Sequence, residues 1–282
     1  MTDDLRRHPV TALQGARDMA HSAVQLVTKT TRANLPAAPD DSHSNLGWNP
    51  HGNVFYSQPL PLATGADAYV GLDVARLTLA IAVGSEPKAS LDLAGKSRAQ
   101  AEHWLDGELQ VLGLKPASTV TLPYHLPASA AAITVYSTAS LADGLAALAA
   151  WFTLAHKTLG AFANAHKDLK PGPSPVRCWP HHFDIATYVG LEAGDAETAR
   201  GIGVGLSPGD DSYDQPYVYI NPWPHLDPQD LPAPPKPGHW HRDGFVGAIA
   251  TAEEVLTLES PDTGLGEFVE AAFAIGVGKL GV

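Results

Sequence analysis

Residues 177–225 read RCWPHHFDIATYVGLEAGDAETARGIGVGLSPGDDSYDQPYVYINPWPH, and the alternation within them decides the fold. Phe183, Ile185, Val189 and Leu191 fall on one face of a strand read over 181–191, with His182, Asp184, Ala186 and Tyr188 on the other. Over 202–207, Ile202, Val204 and Leu206 share a face, while Gly201, Gly203 and Gly205 leave the opposite face bare. Over 216–221, Val218 and Ile220 oppose Tyr217, Tyr219 and Asn221. Successive strands of this kind with turn signals between them predict an antiparallel meander. Its polar face would carry His182, Asp184, Tyr188, Tyr217 and Tyr219 around a floor of glycine. Glycine within a strand marks close approach by a ligand or by another backbone. A helix packed over the glycines is the competing reading.

Outward from this stretch, apolar spacing predicts a helix over 10–33, with Val10, Leu13, Ala16, Ala20, Ala23, Val24 and Val27 on its stripe. Short strands follow at Val54–Leu60, Ala68–Val74, Leu77–Val83 and Ala89–Leu93. Ser97 reads as the cap of a helix reaching Leu112. A further strand is expected at Thr119–Leu122, then irregular chain to 139. The longest helix should run from Leu141 to Ala165 with Ser140 as its cap, ended by the proline cluster at 171–175. Beyond the meander lie a Pro-rich segment (226–238), a strand at Phe245–Ala250, a helical turn at Thr251–Leu258 and a last helix at Gly264–Leu280. The pattern is an α+β fold, mainly antiparallel sheet with flanking helices, read as a single domain over 1–282. The order helix, strands, helix recurs at 10–113 and 140–280, which suggests a duplicated unit.

Composition narrows the function classes. Eighteen Lys and Arg face thirty Asp and Glu in 282 residues, a formal charge of −12, with no basic block. Nucleic acid binding through a phosphate-neutralising patch is not expected, nor is a polybasic membrane anchor. The most apolar segment, 141–155, contains Asp143 and falls short of the roughly twenty residues that span a bilayer, so a buried helix is expected. Cys178 is the only cysteine, so no intramolecular disulfide forms, in keeping with a cytoplasmic protein. The N-terminus lacks the apolar core of a signal peptide.

The segments Ser174–Asp184 (SPVRCWPHHFD), Ser207–Asp210 (SPGD) and Pro216–Tyr219 (PYVY) together resemble a family of bacterial proteins of unknown function. The resemblance extends over the whole chain and implies no particular activity. The family's pattern matches at Phe183, Asp184, Pro208, Gly209, Pro216 and Tyr219 but does not include histidines at 181 and 182. It therefore implies a shared role for Asp184 and Tyr219, and confines any site built on the two histidines to a branch of the family.

Two chemistries fit the polar residues. In the first, His182 with Asp184 and His239 with His241 are i, i+2 pairs on strands, each able to chelate one ion. Imidazole with carboxylate suits a divalent transition metal such as Zn, Fe, Mn or Ni. Such an ion with open positions would activate water, which makes a hydrolase acting on a small molecule the leading expectation. Tyr219 would then be a hydrogen-bond donor, with Asp184 beside it in the reaction. In the second, Asp184 and His182 perform acid–base work without a metal, helped by Tyr217 or Tyr219. Asp210-Asp211 could ligate a hard cation, but Pro-Gly-Asp-Asp more often makes a tight turn. Gly201–Gly205 is no dinucleotide loop, because its glycines alternate within a strand and no helix start follows. The non-catalytic alternative is a small-ligand-binding or assembly protein using Trp179, Tyr188, Tyr217, Tyr219, Trp223 and Trp240. A small-molecule ligand and a homo-oligomer are the partners in view.

Overall fold

The computed structural model describes residues 5–6, 10–194 and 198–281. The fold is α+β with two antiparallel sheets. The chain divides into two compact units, one made of Ala12–Thr153 and Cys178–Phe183, the other of Met1–Thr11, Leu154–Arg177 and Asp184–Val282.

A 3-10 turn at Val10–Leu13 leads into α1, Gln14–Asn34, which belongs to the first unit. Ala16, Ala20, Ala23, Val24 and Val27 are buried as the apolar spacing requires, but so are His21, Gln25, Thr28, Thr30 and Thr31. A helix buried on so many sides must find partners for its polar groups, within its own turns or elsewhere. Thr30 Oγ1 donates to the Leu26 carbonyl at 3.0 Å and Thr31 Oγ1 to the Thr28 carbonyl at 2.9 Å. The sheet runs β1 (Gly47–Asn49), β2 (Val54–Tyr56), β4 (Asp67–Asp73), β5 (Thr78–Val83), β6 (Glu86–Asp92), with β3 (Leu60–Pro61) paired to β4. Ala68, Val70 and Leu72 of β4 and Leu79 and Ile81 of β5 are buried, the period-2 pattern of a half-buried sheet. Ser97 caps α2 (Arg98–Val111) through a full capping box with Gln100.

Two local expectations fail here. Thr119–Leu122 is not a strand: a 3-10 turn at Ala117–Thr119 takes its place, and α3 (Ala128–Ala131) interrupts the irregular chain that follows. Ser140 adopts a left-handed φ of 58° and donates its hydroxyl back to the Ala139 carbonyl at 2.6 Å, so it does not cap α4, Ala142–Ala165. Of the described helices, α4 alone is long and apolar enough to cross a membrane by length and composition, and 61% of its most apolar window is buried within the protein. That is the burial of a core helix.

In the second unit the sheet order is β12 (His239–His241), β13 (Gly247–Thr251), β11 (Tyr217–Trp223), β10 (Gly201–Ser207), β9 (Asp184–Gly190), β7 (Gly172–Pro173). The expected meander is β9–β10–β11, antiparallel throughout. β13 then adds beside β11 and β12 becomes the edge. Ile202, Val204, Leu206, Val218 and Ile220 are buried on the face covered by α6 (Pro261–Leu280). There Gly276 lets the helix approach closely: a Cβ on it would lie 2.8 Å from Ile202 Cδ1. Between β13 and α6 sits the short helix α5, Ala252–Leu256.

Candidate functional site

The register fixes which side chains share the other face of this second sheet. His239 pairs with Ile249, Ile249 with Tyr219, Tyr219 with Gly205, and Gly205 with Ala186. Since successive residues alternate faces, Asp184, Tyr217, Tyr219, His239 and His241 all lie on one side of the sheet. At Gly201 and Gly205 the space a side chain would fill is taken by tyrosines. A Cβ on Gly205 would lie 2.4 Å from Tyr219 Oη and 2.8 Å from the Ala186 Cβ, and one on Gly201 would overlap the Tyr188 ring. The tyrosines lie across the glycine strand. Tyr219 crosses β10 in this way and donates its hydroxyl to Asp184 Oδ2, two strands away, at 2.5 Å. Asp184 is buried at 8% exposure, and a buried carboxylate needs such a donor.

His182 is not on this face. The reading of 181–191 as one strand fails at its start, because Pro180–Phe183 is a turn and β9 begins at Asp184. Two backbone bonds close the turn, from the His182 and Phe183 amides to the Trp179 carbonyl at 3.2 and 2.7 Å. It belongs to the first unit. There His21 Nε2 and Gln25 Nε2 both reach the Pro180 carbonyl, at 2.9 and 2.8 Å. Phe183, with a left-handed φ of 60°, stacks on His21 at 5.0 Å. Burial, only partly offset by the Pro180 bond, lowers the His21 pKa to about 4, so the ring is neutral and donates through Nε2. Burial, helped by His182, also lowers His181 to about 4. His181 is half-buried and His182 exposed, their rings 4.3 Å apart.

His239 and His241 do share a strand face, and their inner nitrogens converge. His239 Nε2 lies 3.0 Å and His241 Nδ1 2.9 Å from a single atom, Tyr213 Oη. The outer nitrogens have acceptors of their own. His239 Nδ1 lies 2.9 Å from Glu254 Oε1, and His241 Nε2 lies 2.5 Å from the Asp243 carbonyl oxygen. A carbonyl only accepts, as does an ionised carboxylate, so both outer nitrogens carry the ring proton. With both rings neutral, both inner nitrogens present lone pairs to one phenol, which has one hydrogen. One of the two contacts lacks a proton, and a cation placed among the three atoms would supply what is missing.

The local sequence builds this arrangement. Thr251 and Glu254 form a capping box on α5; the same Glu254 carboxylate that accepts the Thr251 amide at 2.8 Å also holds His239. Phe245 stacks on His241 at 4.2 Å. Trp240 donates to the Pro232 carbonyl at 2.8 Å, tying the Pro-rich segment to β12. Tyr213 is delivered by a turn centred on Asp210. Asp210 Oδ1 accepts the Ser212 and Tyr213 amides at 2.8 and 3.2 Å, and Oδ2 accepts the Tyr217 hydroxyl at 2.6 Å. Asp210 thus serves the turn, as the sequence of that turn more often implies. Burial, then Glu254 and Asp210, raise the Tyr213 pKa; burial and Asp210 do the same to Tyr217.

The family model for a family of unknown function, DUF5996, matches residues 7–281. The chain belongs to that family. No curated protein and no solved structure matches it. The DUF5996 fold therefore brings no activity with it, and the chemistry rests on the residues. Among the described residues no group of three or more His, Cys, Asp or Glu is placed to hold a metal ion. The convergence in this DUF5996 chain is of two histidines and a tyrosine. Tyr213 and Glu254 were missed in the sequence. The signals that could have found them are the Asp-Asp-Ser-Tyr turn facing the histidine strand and the Thr-x-x-Glu cap directly after β13. A separate cleft of about 460 Å³ opens in the same unit, lined by Glu192, Arg200, His225 and Lys279 among others. Its cations are paired, Arg200 with Glu192 and Lys279 with Asp230.

Proposed function

We propose that the protein is a metal-assisted enzyme acting on a small molecule, with hydrolysis as the reaction class. His239 and His241 are the histidine ligands of a divalent transition metal on the polar face of the second unit's sheet. The observation that carries this reading is the pair of inward lone pairs on His239 Nε2 and His241 Nδ1, each with its outer nitrogen oriented by an acceptor. Carboxylate and backbone carbonyl partners of this kind set the tautomer and raise the basicity of metal-binding histidines. The ion would supply Lewis acidity, lowering the pKa of a bound water or polarising a substrate oxygen. Glu254 and Phe245 hold the two rings. Asp184 is engaged by Tyr219, and His182 lies on the turn before β9, so neither is included in the set. The site is partly open, with the His239 side chain 40% exposed, so an ion and a small substrate have access.

The test is hydrolysis of a panel of small esters, amides and phosphate esters by chelator-treated and metal-reloaded protein. Turnover that returns on reloading and is absent from His241→Ala supports the reading. Reloaded protein that is inert across the panel, yet binds a small ligand without metal, would favour the non-catalytic alternative. The 460 Å³ cleft is the feature that favours that second reading.

A further inference from the structure

The donor geometry also bears on which ion the site takes, and the inference rests on the metal reading above. We propose that Tyr213 is a third ligand through Oη and that the site holds a six-coordinate ion, iron in particular. Two donors each about 2.1 Å from one ion subtend about 90° when about 3.0 Å apart, whereas a tetrahedral angle sets them about 3.4 Å apart. Tyr213 Oη lies 3.0 Å from His239 Nε2 and 2.9 Å from His241 Nδ1. Both separations are ordinary hydrogen-bond lengths that also fit neighbouring positions on an octahedral ion, so six-coordination lets an ion replace the shared hydrogen with the least movement of the three donors. Two histidines and one anionic oxygen, with positions left open, suit non-haem iron.

The supporting shell is in place for each donor. Glu254 orients His239 and the Asp243 carbonyl orients His241. The Tyr213 backbone is bonded at both ends to Asp210, its amide to Oδ1 and its carbonyl to the Asp210 amide at 2.8 Å. Its ring lies 4.8 Å from that of Tyr217. The balance of ion binding is simple. The two imidazoles donate lone pairs they already hold. The Tyr213 O–H bond breaks, the proton leaves to solvent, and the oxygen pair bonds to the ion. Three coordination positions remain for water and an oxygen-donor substrate.

The test uses the full chain stripped by chelator, reloaded with Fe(II) and oxidised in air to Fe(III), followed by absorption and iron analysis. One iron per chain with a visible phenolate-to-iron charge-transfer band is expected. Tyr213→Phe should lose the band and bind iron at least tenfold more weakly, while His239 and His241 still hold some ion. Co(II) in place of iron should give the weak visible bands of six-coordination. Iron bound without the band, equal binding by Tyr213→Phe, or the intense bands of tetrahedral Co(II) would overturn this inference and leave the histidine site standing. Failure of the wild-type chain to bind any ion would overturn both.

Discussion

Replacing Gly205 by alanine tests the placement of Tyr219 across the sheet. The new Cβ would lie 2.4 Å from Tyr219 Oη, 2.5 Å from its Cζ and 2.8 Å from the Ala186 Cβ. The ring has to swing away, which breaks the bond to Asp184, and a hydrogen bond to a charged acceptor contributes about 1.5–3 kcal/mol. The Ala186 Cβ is fixed to the backbone of β9 and cannot move aside, and overpacking of this kind costs about 1–3 kcal/mol. Loss of about 3 kcal/mol or more is expected in urea unfolding. Gly203 is the control on the same strand and face. A Cβ there would meet its nearest atoms at 3.8 and 3.9 Å, an ordinary contact, so Gly203→Ala should change stability by less than about 1 kcal/mol. Gly201→Ala should fall between them, because the Tyr188 ring it meets is 43% exposed and can rotate into solvent. In a Tyr219→Ala background the cost of Gly205→Ala should shrink to the Ala186 contact. Equal losses for Gly205→Ala and Gly203→Ala, or no coupling to Tyr219, would refute the reasoning.

The remaining predictions concern the other buried groups. His21 is neutral in the fold, with its pKa depressed from 6.5 to about 4, so the unfolded chain binds more protons in that window. Its contribution is complete above about pH 6.5 and is lost as pH falls toward 4, by about 3 kcal/mol in all; a His21→Gln chain should show a flatter urea-midpoint profile over that range. Glu254→Gln keeps an N3 capping side chain but removes the anionic partner of His239, so metal affinity should fall about 10–100-fold, measured by competition with a chelator, with little change in melting temperature. Ser97→Ala removes the capping box of α2 and should cost about 1 kcal/mol in the same unfolding assay.

Much of the fold was legible because period-2 alternation is a local signal. β10 and β11 fall where Ile202–Leu206 and Tyr217–Asn221 place them, and the Ser97 cap fixes α2. The site was legible only in part, since spacing within one strand says nothing about neighbours that arrive from elsewhere. His239 and His241 were read as a pair from their i, i+2 spacing. Tyr213, 26 residues away from His239 in sequence, meets them through a turn whose geometry depends on Asp210. The strand placement of His182 failed for a backbone reason. Phe183 takes a left-handed φ of 60°, held there by packing on His21, Phe55 and Phe152. Periodicity cannot register a single-residue reversal of that kind. The glycine floor was read as a place of close approach by a ligand or another backbone; at Gly201 and Gly205 the approaching groups are side chains of tyrosines on the adjacent strands.

The central claim is that His239 and His241 hold a metal ion. Elemental analysis of the purified, untagged protein by mass spectrometry tests it most directly, beside His239→Ala, His241→Ala and His182→Ala. Near-stoichiometric metal is expected in the wild-type and His182→Ala chains, with loss of it in the other two. Absence of metal from the wild-type chain even after supplementation, or loss on His182→Ala alone, would contradict it.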